Sequence, residues 1–278
     1  MAQNSVRGPT VLITGCGVGG LGAALCNAFA DSGYLIFAAA RDPAKAAFLA
    51  RAPSCQVIAL DVTSKPSIDE CVSKIRQKTQ GRGLDVLVNN AGVGLTAPLL
   101  DTSMDDARRV FDVNVWGMLA VTQAFAPLLV EAKGTILNVS SIAGAVRLAW
   151  QETLRMELAP LDVRVVTAMV GEVETGFYGH ATPFSLPAGS YYKAIEATIR
   201  KQSTGELQVN NQKAEDVARS LVKEVTGGGS GQAWHGGLAG TVKYASWLVP
   251  TKIFEWLLHR NRGLSDLAEL NHSYGSQH

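Results

Sequence analysis

Short runs of consecutive apolar residues punctuate the chain at Val11–Ile13, Tyr34–Ala39, Val57–Leu60, Leu84–Val88, Thr135–Val139 and Val163–Val170. Each ends in glycine or in a small or polar residue. Runs of this length without alternation suit strands buried on both faces, the condition of a parallel sheet covered by helices. Helical periods fill the intervals. One follows the first run as far as Phe29, one spans about Ser67 to Lys78, one starts at Met104 and one covers Ala214–Val225. Regular alternation, with no internal repeat or low-complexity linker, predicts an α/β chain: a single doubly wound parallel sheet with helices on both faces. Residues 1–278 read as one domain.

The turn after the first run is Thr14-Gly15-Cys16-Gly17-Val18-Gly19-Gly20-Leu21-Gly22. Strand, glycine-rich turn and helix in that order form a Rossmann-type dinucleotide unit. The glycines let backbone approach a pyrophosphate, and the helix N-terminus supplies N–H donors and a positive dipole end. Gly15, Gly20, Leu21 and Gly22 are therefore candidate cofactor contacts. The second strand ends in Ala40-Arg41, where an NAD site places an acid for the ribose 2′-hydroxyl. Arg41 suits a 2′-phosphate instead and favours NADP(H), with the adjacent Asp42 acting against it. Asp61 and Val62 end the third strand, where adenine is met, and Asn90, Ala91 and Gly92 follow the fourth. Asn114 sits inside the apolar helical stretch Phe111–Gly117. An amide there is costly unless satisfied, so a structural network and a catalytic role both remain open.

Composition narrows the field. At 278 residues and 47% hydrophobic the chain can bury a large core, and a net charge of +1 gives no bulk attraction for nucleic acid. Cys16, Cys26, Cys55 and Cys71 are scattered, without C-x-x-C or clustered His, which reads as free thiols in a reducing compartment and no metal site. No apolar segment precedes Val11 and no window long enough to span a bilayer is free of charge and proline. Neither a signal peptide nor a spanning helix is expected, and the expected location is cytoplasmic.

Thr14–Gly22, Leu60-Asp61-Val62-Thr63, Asn89–Gly92, Asn114 and Asn138-Val139-Ser140-Ser141 follow one another within residues 10 to 175. In order and spacing they resemble the short-chain dehydrogenase/reductase family, with a glycine turn one residue longer than its commonest form. The stretch Phe111–Leu129 and the tail after Phe177 are similar to fungal NADPH-dependent 1-acyldihydroxyacetone phosphate reductases. The resemblance implies NADPH-dependent reduction of a hydrophobic or acylated ketone, with Ser141 and Asn114 as catalytic residues. It also assigns Val173 and Thr175 to the nicotinamide side, from Gly171–Thr175, with Val170 where the family has proline.

Family members donate the proton from a Tyr, supported by a Lys four residues later that binds the ribose and lowers the Tyr pKa. Counted from Ser141, those positions are Leu154 and Leu158, and no Tyr in this chain has a Lys at that offset. Ala149-Trp150-Gln151 resembles the lead-in to the motif, and Glu152–Arg155 resembles the end of the same helix. About four helical turns are missing between them. The expected result is a shortened crossover helix from about Gly144 to Ala159, laying Val146, Trp150, Leu154 and Leu158 on the sheet as one stripe.

Downstream, residues 176–210 hold Phe177, Tyr178, Phe184, Tyr191 and Tyr192, which suits a substrate lid or an ordinary packed excursion. Gly227–Gly231 reads as a flexible break. Within 232–278, Trp234, Trp247, Phe254, Trp256, Leu257 and Leu258 mix with Lys243, Lys252, His259, Arg260 and Arg262. Such a tail closes a pocket or makes peripheral contact with a membrane, here the endoplasmic reticulum or a lipid droplet. A homo-oligomer is left open, since the affected helix commonly helps form the family's subunit interface. Three readings follow: an NADPH-dependent ketone reductase, a non-catalytic NADP-binding protein, or an incomplete copy of an intact enzyme lacking about fifteen residues.

Overall fold

In the computed structural model, which describes residues 8–142, 149–180, 184–208 and 210–250 and positions 253, 263 and 267, the six apolar runs become β1 (Thr10–Thr14), β2 (Leu35–Ala40), β3 (Cys55–Ala59), β4 (Val86–Asn89), β5 (Thr135–Ser141) and β6 (Arg164–Val170). Two short strands, β7 (Val173–Glu174) and β8 (Gln212–Lys213), pair apart from them, and β9 (Gly231–His235) adds to the edge of the main sheet. The order is β3-β2-β1-β4-β5-β6-β9, with every pair parallel. Progression reverses between β1 and β4, so a crevice opens at the C-terminal ends of those strands.

The helices are α1 (Leu21–Asp31), α2 (Lys65–Thr79), α3 (Met104–Phe111), α4 (Met118–Ala132), α5 (Ala149–Leu158), α6 (Glu196–Thr204), α7 (Ala214–Thr226) and α8 (Ala239–Leu248). Side chains alternate across the pleat. Val11 and Ile13 enter a core with Leu25 and Phe29 of α1 and Leu221 of α7, while Leu12 enters the opposite core with Ile75 of α2 and Phe125 of α4. The continuous helix Met104–Ala132 is long and apolar enough to cross a membrane by length and composition. Its Val121, Phe125, Leu128 and Leu129 are buried against the sheet.

The seventh strand lay in the stretch read as a break and the start of the C-terminal segment. Only Ala233 of β9 is buried, because an edge strand shows the core one short apolar face and leaves little pattern to read. The crossover closes as expected, with β5 and β6 paired from Thr135↔Arg164 to Ser141↔Val170. Leu154 and Leu158 pack on the α4-side core. Gly144, Val146 and Arg147, the first half of the expected helix, lie outside the described residues, as do the side chains of Trp150 and Gln151.

The excursion after β7 is packed. Leu186, Ile195 and Ile199 form its own small core with Phe184 and Tyr192, and the Ser190 hydroxyl donates to Asp101 at 2.5 Å. Lys252, Phe254, Trp256, Leu257, Leu258, His259, Arg260 and Arg262 of the tail lie outside the described residues.

Candidate functional site

Thr14 at the tip of β1 organises the crevice. Its hydroxyl oxygen accepts from the backbone N–H groups of Asn90 and Ala91, both at 2.9 Å, and the hydroxyl donates to the Val88 carbonyl at 3.2 Å. The Asn90 amide donates back to the Thr14 carbonyl at 2.8 Å and the Gly15 carbonyl at 3.2 Å. The ends of β1 and β4 are thereby stitched together, and the glycines follow from that contact. A Cβ on Gly15 would stand 2.8 Å from the Ala91 Cα, and one on Gly22 would stand 2.6 Å from the Asn90 amide nitrogen. Gly20 caps α1 without a side-chain acceptor, and the first turn carries no acid, so the helix presents N–H groups suited to an anion. The Gly176 N–H donates to the Gly19 carbonyl at 3.1 Å, which draws the Val173–Thr175 segment to the same turn. Gly15, Gly20, Leu21, Gly22, Asn90, Ala91, Gly92, Val173 and Thr175 therefore gather at one edge of the sheet.

At the tip of β2, Arg41 is exposed and the Asp42 carboxylate is committed elsewhere. It accepts from the Ala44 N–H at 3.0 Å as the cap of the turn Pro43–Arg51. Partial burial pushes the Asp61 carboxyl up, but donors from the Thr63 hydroxyl and N–H, with the charge of Arg41, outweigh it and hold Asp61 below the usual carboxylate range. Val62 is buried, with its Cγ2 against Gly117, so its backbone is what it can offer a cofactor.

Asn114 lies in a π-helical segment, Asp112–Gly117, between α3 and α4. Such bulges recur at functional sites. Its amide oxygen accepts from the Val93 N–H and its amide nitrogen donates to the Val93 carbonyl, both at 2.9 Å. The side chain thus clamps the loop that continues Asn90–Gly92. Ser141 ends β5 in an exposed position beside that loop. Leu154 and Leu158, by contrast, face the core, so α5 brings neither side chain to Ser141. Phe177 packs against Gly94, where a Cβ would meet the ring at 2.8 Å.

One buried feature escaped sequence reasoning. The Asn89 amide donates to the Thr122 hydroxyl at 3.0 Å and to the Asn138 amide oxygen at 2.8 Å, joining β4, β5 and α4. The Asn138 amide nitrogen is buried without a hydrogen-bond partner. Only the polar intrusions in two otherwise apolar strands signalled this ladder.

The family model described as short chain dehydrogenase matches residues 9–153 and ends inside α5. A short-chain dehydrogenase of Talaromyces islandicus, cctT, is 40% identical, covering 93% of this chain and 96% of its own. That match runs over 278 positions while taking in 93% of a 278-residue chain, so the relative holds residues for which this chain has none. An NADPH-dependent 1-acyldihydroxyacetone phosphate reductase of Schizosaccharomyces pombe is 38% identical over 200 residues, covering 66% of this chain and 67% of its own. A short chain dehydrogenase from Burkholderia cenocepacia, solved in complex with NADP, shares the fold with a TM-score of 0.70 at 21% identity, covering 92% of this chain and 98% of that one.

Proposed function

The chain belongs to the short-chain dehydrogenase/reductase family, and we propose that it binds NADPH and acts on a hydrophobic or acylated ketone with strongly reduced turnover. The observation that carries this reading is a turn suited to the cofactor phosphates beside a crossover without the Tyr and Lys. The Thr14–Asn90 stitch, the glycines it demands and the uncapped N-terminus of α1 fit a pyrophosphate, and exposed Arg41 fits a 2′-phosphate. Bound there, NADPH supplies the hydride. Ser141 is left to hold the carbonyl oxygen, with no Tyr hydroxyl to meet the charge that develops on it. The likeness to the Schizosaccharomyces pombe reductase supports 1-acyldihydroxyacetone phosphate as substrate and glycerolipid synthesis as context. A cytoplasmic location with peripheral attachment to the endoplasmic reticulum or lipid droplets suits such a substrate.

A non-catalytic NADP-binding protein is the second reading, favoured by the same absence. NADPH titration followed by turnover on 1-acyldihydroxyacetone phosphate separates the two. The expected result is saturable binding with oxidation ~10²–10⁴-fold slower than in an intact relative. Rates equal to the relative's would refute impairment, absence of binding would refute the cofactor assignment, and binding with no oxidation at all would favour the second reading.

Arg41 supplies an independent check. Loss of a charge-assisted hydrogen bond costs about 1.5–3 kcal/mol. Arg41→Ala is therefore expected to weaken NADPH binding roughly 10- to 100-fold and leave NADH unchanged. Equal weakening of both cofactors would remove Arg41 from the 2′-phosphate.

A further inference from the structure

The fold gathers cysteines that the sequence scatters. Cys16 lies in the glycine-rich turn, Cys26 on α1 and Cys55 at the start of β3, and all three are buried in the core beneath that turn. The sulfurs of Cys16 and Cys26 are 3.6 Å apart, and the Cys16 thiol also donates to the Ile13 carbonyl at 3.1 Å. A disulfide needs about 2.05 Å, so an approach of roughly 1.5 Å would join the pair. We propose that Cys16 and Cys26 form an oxidation site under the cofactor turn, closed to a disulfide by a hydroperoxide when the turn is empty and protected when it is filled.

The chemistry balances. One thiolate attacks the peroxide oxygen, giving a sulfenic acid and releasing one water, or an alcohol from an organic peroxide. The second thiol displaces the sulfenic hydroxyl as a further water. The two thiols lose two electrons and the peroxide gains them. In the closed turn this reaction is slow, because the hydrogen bond to Cys16 and then burial push the Cys26 thiol up and keep it protonated. Access requires the turn to open. The start of the turn is held by the Asn90 amide on the Thr14 and Gly15 carbonyls and by Cys16 N–H on the Ala39 carbonyl, whereas its Gly17–Gly20 half is held by Gly20 N–H to Gly17 and Gly176 N–H to Gly19, with open space on the Cβ side of Gly17 and Gly19. Local opening of so lightly held a segment is cheap, and a ligand on the turn suppresses it by mass action. Once formed, the disulfide draws the turn towards α1 and displaces the backbone that faces the pyrophosphate.

This inference rests on the cofactor site proposed above, so NADP+ affinity is measured first on the fully reduced chain. The chain is then exposed to hydrogen peroxide with and without saturating NADP+, alkylated and digested with trypsin. Residues 8–41 form one tryptic peptide carrying both cysteines. The expected product is that peptide two hydrogens lighter and unalkylated, formed about tenfold more slowly with NADP+ present. NADP+ affinity is expected to fall at least about tenfold on oxidation and return with dithiothreitol, while Cys26→Ala keeps its affinity throughout. A Cys26–Cys55 cross-link, a rate indifferent to NADP+, or a disulfide without loss of affinity would overturn the proposal. If the reduced chain fails to bind NADP+, the cofactor reading falls, and the disulfide still stands or falls on the peptide mass.

Discussion

Inserting a segment of about fifteen residues that carries Tyr-x-x-x-Lys between Gln151 and Glu152 is expected to raise NADPH-dependent ketone reduction ~10²–10⁴-fold over the present chain. The rise equals the usual contribution of a positioned general acid. The topology favours the graft. Chain leaves the C-terminal edge of the sheet at Ser141 and returns to its N-terminal edge at Arg164, and α5 is the second half of that descent. Leu154 and Leu158 anchor this half on the α4-side core, so the inserted helix, about 22 Å long, extends on the Ser141 side of a fixed base. NADPH consumption with a hydrophobic ketone is the readout. The same insertion with Phe for the Tyr is expected to fold and bind NADPH without the gain. Equal rates for the Tyr and Phe insertions would show that the missing hydroxyl is not what limits this chain.

Gly15→Ala is expected to cost about 2–5 kcal/mol of stability and at least about tenfold in NADPH affinity. Gly15 has φ +75°, where a side chain adds roughly 1–2 kcal/mol of strain. Its Cβ would also press on the Ala91 Cα at 2.8 Å, and that backbone cannot retreat because the Thr14 hydroxyl holds it. Overpacking against fixed backbone adds about 1–3 kcal/mol. Gly19→Ala separates the two causes. Gly19 has φ +69° with open space where its Cβ would go, so only the strain should remain. Urea unfolding and cofactor titration of both variants test this, and equal losses would rule out the contact with Ala91.

Legibility in the sequence followed burial. Strands inside the sheet announced themselves because both of their faces must be apolar, and all six appear within a few residues of their predicted bounds. The edge strand β9 did not, since the core asks for Ala233 alone. The excursion after β7 was undecided between lid and packed segment because its aromatic residues recur without a helical or strand period. Only the contacts of Leu186, Ile195 and Ile199 with one another show a packed core.

The candidate site divides the same way. The glycines were visible because close backbone approach excludes every side chain, and Arg41 because charge at a strand tip needs no neighbour to be recognised. The partners of Asn114 were not visible. An amide in an apolar helix has to be satisfied, but which groups satisfy it depends on a loop twenty-one residues earlier in the chain. Pairing of Cys16 with Cys26, and of Asn89 with Asn138, was equally hidden.

By itself, then, the sequence determined the doubly wound sheet, the cofactor turn and the absence of a Tyr–Lys pair, because each is a matter of residue type at a fixed local spacing. The tertiary structure alone decided that the Asn114 amide is satisfied by Val93, that Leu154 and Leu158 serve the core and that Asp42 is occupied as a cap. It also decided that two thiols meet beneath the turn. Those are properties of what lies opposite a side chain, and only the packing of distant segments supplies an opposite side.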